Sequence, residues 1–247
     1  MASLALNDRD MLLVRDIVES CSDVSGEAEL LPWQVGEELF SLIECDSLVA
    51  WPCEPAIQNE DPSQDWPRGT EAPELAPAEA FWTHFWDSDC SYPDRTGDLV
   101  SVTMTSDFYS AREYHNSGMY SDYERYWGVE HELTVVLPAG PGRTVRLLFG
   151  RGAGPDFTER DRVLLSLLRP HLHAAYVATE RRRLGVAPLT SRQREILQYV
   201  AAGMGNRQIA RRLGLSDATI RKHLENIFAR LQVTSRTAAV KRADLTG

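Results

Sequence analysis

The sequence predicts an α+β chain in two parts: an N-terminal antiparallel sheet with flanking helices over residues 1–184, then an all-α unit of four helices over residues 185–247. Three observations lead there. Glu132–Leu137 and Thr144–Phe149 are β-rich and flank Pro138-Ala-Gly-Pro-Gly142, which reads as a hairpin with a long loop. From Leu189 onward apolar residues recur at helical spacing, punctuated by Gly203, Gly214 and Ser/Thr/Asn caps. Charge divides near the same place. Residues 180–247 hold 14 basic and five acidic residues, a surplus of nine positive charges, whereas the first 179 hold 12 basic and 31 acidic, an excess of 19 negative ones. The overall charge of −10 therefore hides a basic tail that can approach phosphates behind an acidic front that cannot.

The elements follow in order. Asn7–Ser20 reads as a helix capped by Asn7 or Asp8, with Met11, Leu12, Val14 and Val18 as its apolar set. Pro32 opens a second helix to Glu44, with Val35, Leu39, Phe40, Leu42 and Ile43 inward. Ser47–Trp51 is a short strand, and the Pro/Asp/Glu-rich stretch Asn59–Pro77 a long exposed loop. Ala78–Asp87 is helical, Leu99–Met104 a strand, and Asp107–Tyr126 one or two short helices. Phe157–Arg183 is a long helix capped by Asp156, which Pro170 must kink or break. Gly185–Pro188 is the linker.

In the tail, Thr190 and Gln193 have capping-box spacing, and Ile196, Leu197 and Val200 form an apolar face. Asn206 caps the next helix, with Ile209, Ala210 and Leu213 inward and Gly214 as its stop. Ser216 caps a third helix with Ile220, Leu224, Ile227, Phe228 and Leu231 on one side, and a short fourth follows Thr234-Ser235. Two helices separated by Gly214-Leu215-Ser216 fit a helix-turn-helix over residues 206–225. At about 100° per residue, Ala218, Lys222, Glu225 and Ala229 fall opposite the apolar face, with Arg221 on the flank. Arg221 and Lys222 carry donors suited to guanine edges, Glu225 an acceptor for cytosine, and Thr219 a donor for phosphate at a helix N-terminus.

Leu189–Ala243 resembles the LuxR/FixJ-type DNA-binding domain, on L-T-x-R-x-x-E-I-L, G-x-x-N-x-x-I-A-x-x-L, S-x-x-T-I-R-x-H-L-x-N-I and L-x-V-x-S-R. The resemblance implies base reading by Arg221, Lys222 and Glu225, backbone contact by Thr219 and the pair Ser235-Arg236, Asn206 and Ser216 within the same DNA-binding set, and a tail–tail contact through the fourth helix. It implies a dimeric transcription regulator on a pseudo-palindromic double-stranded DNA site. Gln193 stands where a glutamate is commoner, which keeps the capping role, and Glu225 where several members carry a basic or neutral reader. The operator sequence is therefore not transferable. More loosely, residues 99–176 resemble a GAF/PAS-like sensor region, on Tyr126-Trp-Gly128, Asp156-Phe-Thr-Glu-Arg-Asp161 and Leu168-Arg-Pro-His171. The spaced tryptophan, tyrosine and Asp-Pro pattern of acyl-homoserine lactone sensors is not reproduced around Asp61-Pro62.

In the front part, Phe81, Trp82, Phe85 and Trp86 either line a ligand pocket or form plain core. The only lysines are Lys222 and Lys241, which excludes a phosphate loop of the G-x-x-x-x-G-K type and a Schiff-base lysine from the first 221 residues. Acidic pairs abound, but none stands in a nucleophile or base constellation, so an enzyme is not expected. His171 and His173 point to different helix faces, and His84 with Cys90 lacks ligand spacing, so neither metal nor cofactor is expected. The four cysteines, without C-x-x-C pairing or a secretory signal, suit reduced thiols and a cytoplasmic location. Two rival readings stay open. The front part acts only in dimerisation or towards a protein partner, or it is an enzyme-like module with DNA binding secondary.

Overall fold

The computed structural model describes residues 6–23, 29–59, 62–67, 78–183, 189–231 and 233–244. Contacts divide it into two compact units, Met1–Pro138 with Gly142–Tyr176, and Ala139–Pro141 with Val177–Gly247. The division falls inside a long helix; the expected linker at Gly185–Pro188 lies outside the described residues.

The first unit opens with α1 (Asp8–Ser22), started by an Asn7–Asp10 capping box. Its buried residues are Asp10, Ile17 and Cys21, whereas Met11 and Leu12 are half exposed. The inward stripe is thus rotated from the expected Met11/Leu12 set. The cause is tertiary: Asp10 is drawn in by an ion pair with Arg160, which holds its carboxyl below the ordinary range. Helix α2 (Trp33–Ile43) buries Val35, Leu39, Leu42 and Ile43 as expected.

Five antiparallel strands follow: β1 (Ser47–Cys53), β2 (Gln64–Trp66), β3 (Thr103–Met104), β4 (His131–Pro138) and β5 (Thr144–Arg151), in spatial order β2-β1-β5-β4-β3. The β4–β5 hairpin forms as the sequence predicts. Strand β3 keeps only the end of the expected Leu99–Met104. Strand β2 lies inside the stretch expected to be an exposed loop. Gln64 holds it in place: Oε1 accepts from the Leu30 and Leu31 amides at 2.8 and 3.0 Å, and Nε2 donates to the Leu31 carbonyl at 3.0 Å. Trp66 is buried beside α2 and donates through Nε1 to the Trp33 carbonyl.

Side chains alternate across a sheet, so the register defines two faces. One carries Leu48, Ala50, Leu133, Val135, Leu137, Val145, Leu147 and Phe149, all almost fully buried. Buried leucines of α2 and of α7 (Glu159–Arg183), among them Leu164, Leu165, Leu168 and Leu172, supply the helical side of this core. The other face carries Trp51, Glu132, Thr134, Thr144 and Arg146. Protein covers it too, through residues 78–127: α3 (Ala78–His84), 3-10 turns at Phe85–Asp87 and Asp89–Ser91, α4 (Tyr92–Thr96), α5 (Ala111–His115), a π-helical turn at Tyr120–Glu124 and α6 (Arg125–Trp127).

Helix α7 departs from expectation at both marked points. Its start is organised by Thr158 rather than Asp156: the Thr158 amide and hydroxyl both donate to Asp161, at 2.9 and 3.0 Å, while Asp156 accepts from the Phe157 amide. It then runs unbroken through Pro170. Arg169 and His173, on either side of that proline, bond the Val136 and Pro138 carbonyls of β4 and fasten the helix to the sheet. Such tertiary fastening offsets the hydrogen bond a mid-helix proline removes.

The second unit contains the end of α7 and four helices, α8 (Ser191–Ala201), α9 (Asn206–Leu213), α10 (Asp217–Leu231) and α11 (Arg236–Asp244). Ile196, Leu197, Val200, Ile209, Ala210, Ile220, Leu224, Ile227, Leu231 and Ala239 form one core, with Phe228 packed against it.

Gly36 of α2 faces Trp66 so closely that an added Cβ would lie 1.9 Å from the indole. Gly36→Ala is expected to destabilise the first unit by about 1–3 kcal/mol through overpacking, measured as a lowered urea midpoint. An unchanged midpoint would contradict this packing.

Candidate nucleic-acid interface and effector hollow

The second face of the sheet gathers the chemistry of the first unit. Arg146 of β5, only 2% exposed, pairs with Asp94, donates to the Cys90 carbonyl, and places its guanidinium 5.3 Å from the Phe85 ring centre and 5.7 Å from that of Trp51. Phe81, Trp82 and Phe85 pack on one another at 5.1–5.6 Å. Trp51 and Tyr123 join them, each 5.2 Å from Phe81. Trp86, the fourth aromatic of the run, is 50% exposed. The expected single helix gives way to a 3-10 turn at Phe85–Asp87, which changes the step per residue and turns Trp86 outward.

Beside this cage lie three carboxyls: Asp89, Glu124 of the π-helical turn and Glu132 of β4. Desolvation is the leading cause in each, and it raises Asp89 to about 6. Glu124 and Glu132 are also pushed upward, by burial first and then by neighbouring carboxylates. Tyr114 is buried next to Glu124, and its hydroxyl faces the Glu124 carboxyl, whose rise it opposes as a hydrogen-bond donor. The same surroundings push the Tyr123 phenol up to about 12. Asp89 and Glu132 are deep enough to be desolvated but keep accessible surface. A cavity of about 40 Å³ is lined by Asp89 and Tyr114 together with His84, Tyr109, Gly118 and Met119, among others.

In the second unit, local signals set each helix. Thr190 and Gln193 form the expected capping box on α8, and Gln193 Oε1 also accepts from Arg230 at 3.2 Å. Glu195 pairs with Arg192 at 2.6 Å, the internal ion pair its position suggested. Helix α9 is capped by Gly205 rather than Asn206, with Gln208 Oε1 accepting from the Gly205 amide at 2.7 Å. Asn206 is instead the first helical residue, and its Oδ1 accepts from Arg236 at 2.8 Å. Arg236 also reaches the Met204 carbonyl, so the pair ties the start of α11 to the start of α9. Gly214, at φ +65°, ends α9 in the left-handed conformation glycine tolerates.

Ser216 then caps α10: its hydroxyl accepts from the Thr219 amide at 3.0 Å and bonds Thr219 Oγ1 at 2.8 Å. Ser235 caps α11 through the Ala238 amide at 3.1 Å. With Ile220, Leu224, Ile227 and Leu231 buried, the rest of α10 is presented outward. Arg221 and Lys222 expose 68% and 70% of their side chains. Arg221 is 3.3 Å from Asp217 and Lys222 3.3 Å from Glu225, both exposed pairs that contribute little in water. Ala218, Asn226 and Ala229 are exposed around them. Arg207 and Arg211 of α9 are exposed cations that no motif in the sequence marks; only the burial of Ile209 and Ala210 identifies their outward side.

This is the geometry of a helix-turn-helix, and residues 187–243 match the family model "GerE: Bacterial regulatory proteins, luxR family". The C-terminal segment is a LuxR-type helix-turn-helix domain. It is similar to the transcriptional regulator YhjB of Escherichia coli K12, 43% identical over 58 residues, which are 24% of this chain and 29% of that protein. The nitrate/nitrite response regulator protein NarL of E. coli K12 is 36% identical over 76 residues, 31% of this chain and 34% of its own length. A longer similarity, 26% identity over 61% of this chain, reaches 44% of y4qH of Sinorhizobium fredii, named as an HTH-type transcriptional regulator. The chain thus spans less than half of each of these relatives. Among solved structures, SdiA in complex with octanoyl-rac-glycerol superposes with a TM-score of 0.51 at 17% identity, covering 98% of both chains. That likeness is one of fold.

Within the LuxR-type domain, the structure brings Arg221, Lys222 and Glu225 to one exposed face, with Ser216 and Thr219 at its N-terminal edge. Asn206 and Arg236 are joined to each other elsewhere. In the first unit it brings Phe81, Trp82 and Phe85 together, with Trp86 half exposed and edge-on to Phe85 at 5.1 Å.

The raised carboxyls fix a sign for the pH dependence of stability. Glu124 binds more protons in the folded than in the unfolded state, so its contribution is fully present below the unfolded value and is lost as pH rises. Over about pH 4.5 to about 8, Glu124→Gln is expected to flatten the decline in melting temperature relative to the unmodified protein. Parallel pH profiles of the two would contradict a desolvated Glu124.

Proposed function

We propose that this chain is a sequence-specific DNA-binding transcription regulator. The observation that carries the reading is the outward face of α10, where Arg221, Lys222 and Glu225 stand clear of a core that uses the opposite side of the same helix. Small Ala218 and Ala229 allow close approach to base edges, Arg221 and Lys222 donate to guanine, and Glu225 accepts from cytosine. The exposed Asp217–Arg221 and Lys222–Glu225 pairs are weak enough to be exchanged for base contacts. Thr219 and Ser216, at the start of α10, and Arg207 and Arg211 serve the phosphates. Ser235 lies near that backbone, and Asn206 and Arg236 act by holding α9 against α11.

The unit preceding the LuxR-type domain, residues 1–184, is read as a GAF/PAS-like sensor whose effector lies against Phe81, Trp82 and Phe85. Its antiparallel sheet covered on a polar face supports this. So does SdiA, a protein of similar fold whose structure is a complex with octanoyl-rac-glycerol. The domain boundary is placed at 184/185. The regulator works as a homodimer on pseudo-palindromic double-stranded DNA in the cytoplasm, without enzymatic activity of its own. No helix among the described residues is long and apolar enough to cross a membrane. A second reading, in which the front unit acts in dimerisation or towards a protein partner, is favoured by the half-exposed Met11 and Leu12 of α1.

Duplexes selected from a random library by the full chain provide the test. Arg221→Ala with Lys222→Ala is expected to weaken binding to the selected duplex by about 1–3 kcal/mol per lost base contact, read by fluorescence anisotropy, while non-specific binding falls less. Affinity should also drop steeply with salt as phosphate counterions are released. Undiminished specific binding in the double variant would remove α10 as the reading helix.

A further inference from the structure

Within the segment S-x-x-T-I-R-x-H-L-x-N-I, which runs from Ser216 to Ile227, Asn226 takes no part in the core, the cap or the ion pairs of α10. Its side chain is exposed, although the next residue, Ile227, is fully buried. The other polar side chains of that surface are engaged within the protein: Ser216 with Thr219 at 2.8 Å, Asp217 with Arg221 at 3.3 Å, and Lys222 with Glu225 at 3.3 Å. The Asn226 amide forms no hydrogen bond among the described residues. An asparagine held for the sake of the fold is bonded, as Asn206 is to Arg236.

The helix repeat places Asn226 on a part of the surface that the charged residues leave open. At about 100° per residue, and measured from Lys222, Asn226 lies about 40° to one side and Glu225 about 60° to the other. Arg221 stands beyond Glu225, whereas Thr219 is on the Asn226 side. The two flanks of a helix in the major groove face different strands. Ala229, one turn further on, is small and exposed, so nothing on that side crowds a flat amide.

The amide's chemistry selects its partner. It carries a donor and an acceptor side by side. A phosphate accepts only, and would leave the amide oxygen unpaired. In the major groove guanine presents two acceptors, cytosine a donor, and thymine an acceptor beside a methyl group. Adenine alone offers an acceptor, N7, next to a donor, N6. The side chain is short, so it reaches a base only where the helix approaches closely, which Ala218 and Ala229 allow. We propose that Asn226 is a further specificity-determining residue of this domain and reads an adenine, on the side of α10 away from Arg221 and Glu225. The inference rests on the reading of α10 as the helix that enters the groove.

The test is random-library selection with the full chain, run in parallel on the unmodified protein, Asn226→Ala and Asn226→Asp, with anisotropy titrations of the selected duplexes at several salt concentrations. Alanine favours the helix, and circular dichroism checks that both variants are folded. The unmodified protein is expected to select adenine at one fixed position of each half-site. In Asn226→Ala the preference for adenine there falls from about tenfold or more to about twofold or less, and the other positions keep theirs. The salt dependence stays the same, because no phosphate contact is lost. Asn226→Asp, which keeps acceptors only, moves the preference at that position towards cytosine. An unchanged site in Asn226→Ala, relaxation at a position that holds another base, or an aspartate variant that still selects adenine would overturn the proposal and leave the regulator reading standing. So would an equal loss on all sequences with a shallower salt dependence, which marks a backbone contact, or loss of folding in Asn226→Ala, which marks a structural amide. Failure of the unmodified protein to select any sequence would overturn both.

Discussion

Burial of Ile220, Leu224, Ile227 and Leu231 is the contact on which the functional reading depends. A helix turns about 100° per residue, so committing one side to a core fixes where every other side chain points. Once those four residues are inside, Arg221, Lys222 and Glu225 have nowhere to go but outward, and no further interaction is needed to display them. The surrounding helices reinforce that choice. The Ser216 cap sets where α10 begins, Gly214 sets how the chain turns into it, and the Asn206–Arg236 bond ties α9 to α11 beside it. The first two are local and inexpensive in conformational entropy, the third spans 30 residues, and together they present a rigid surface rather than a flexible basic tail.

The same rule acts on the sheet with a different outcome. Leu48, Leu133, Val135, Leu147 and Phe149 use one face for the main core, which leaves Trp51, Glu132, Thr134, Thr144 and Arg146 on the other. In the α10 helix the leftover face meets water. Here it meets protein. A covered polar face must satisfy its groups internally, and Arg146 does so through Asp94, the Cys90 carbonyl and two ring faces. The acids beside it find hydroxyl donors rather than cations, and burial pushes them towards the protonated form. That difference arises from the way residues 78–127 close over the sheet.

This difference explains what the sequence reveals. The tail is legible because capping boxes, glycine stops and apolar spacing are local signals, and the tail's helices are decided locally; the one misplacement, Asn206 for Gly205 as cap, is a shift of one residue. The β4–β5 hairpin is legible for the same reason. The hollow is not. Glu132-x-Thr134 and Thr144-x-Arg146 alternate with apolar residues, which ordinarily marks a solvated face. Only tertiary structure shows that it is covered. Asp89 and Glu124 look like any surface acid of an acidic chain, and Trp51 belongs to a strand far from the aromatic run it completes. Likewise β2 exists because Gln64 and Trp66 find partners more than 30 residues away, and the inward stripe of α1 follows Asp10 because Arg160 waits 150 residues later.

The most direct test of the regulator reading is a structure of the full chain bound to a duplex it selects. If α10 reads the bases, it lies in the major groove with the Arg221 and Lys222 side chains at base edges and Ile220 and Leu224 turned away. A complex in which α10 faces the protein interior, or in which another surface of the chain holds the duplex, would contradict that reading.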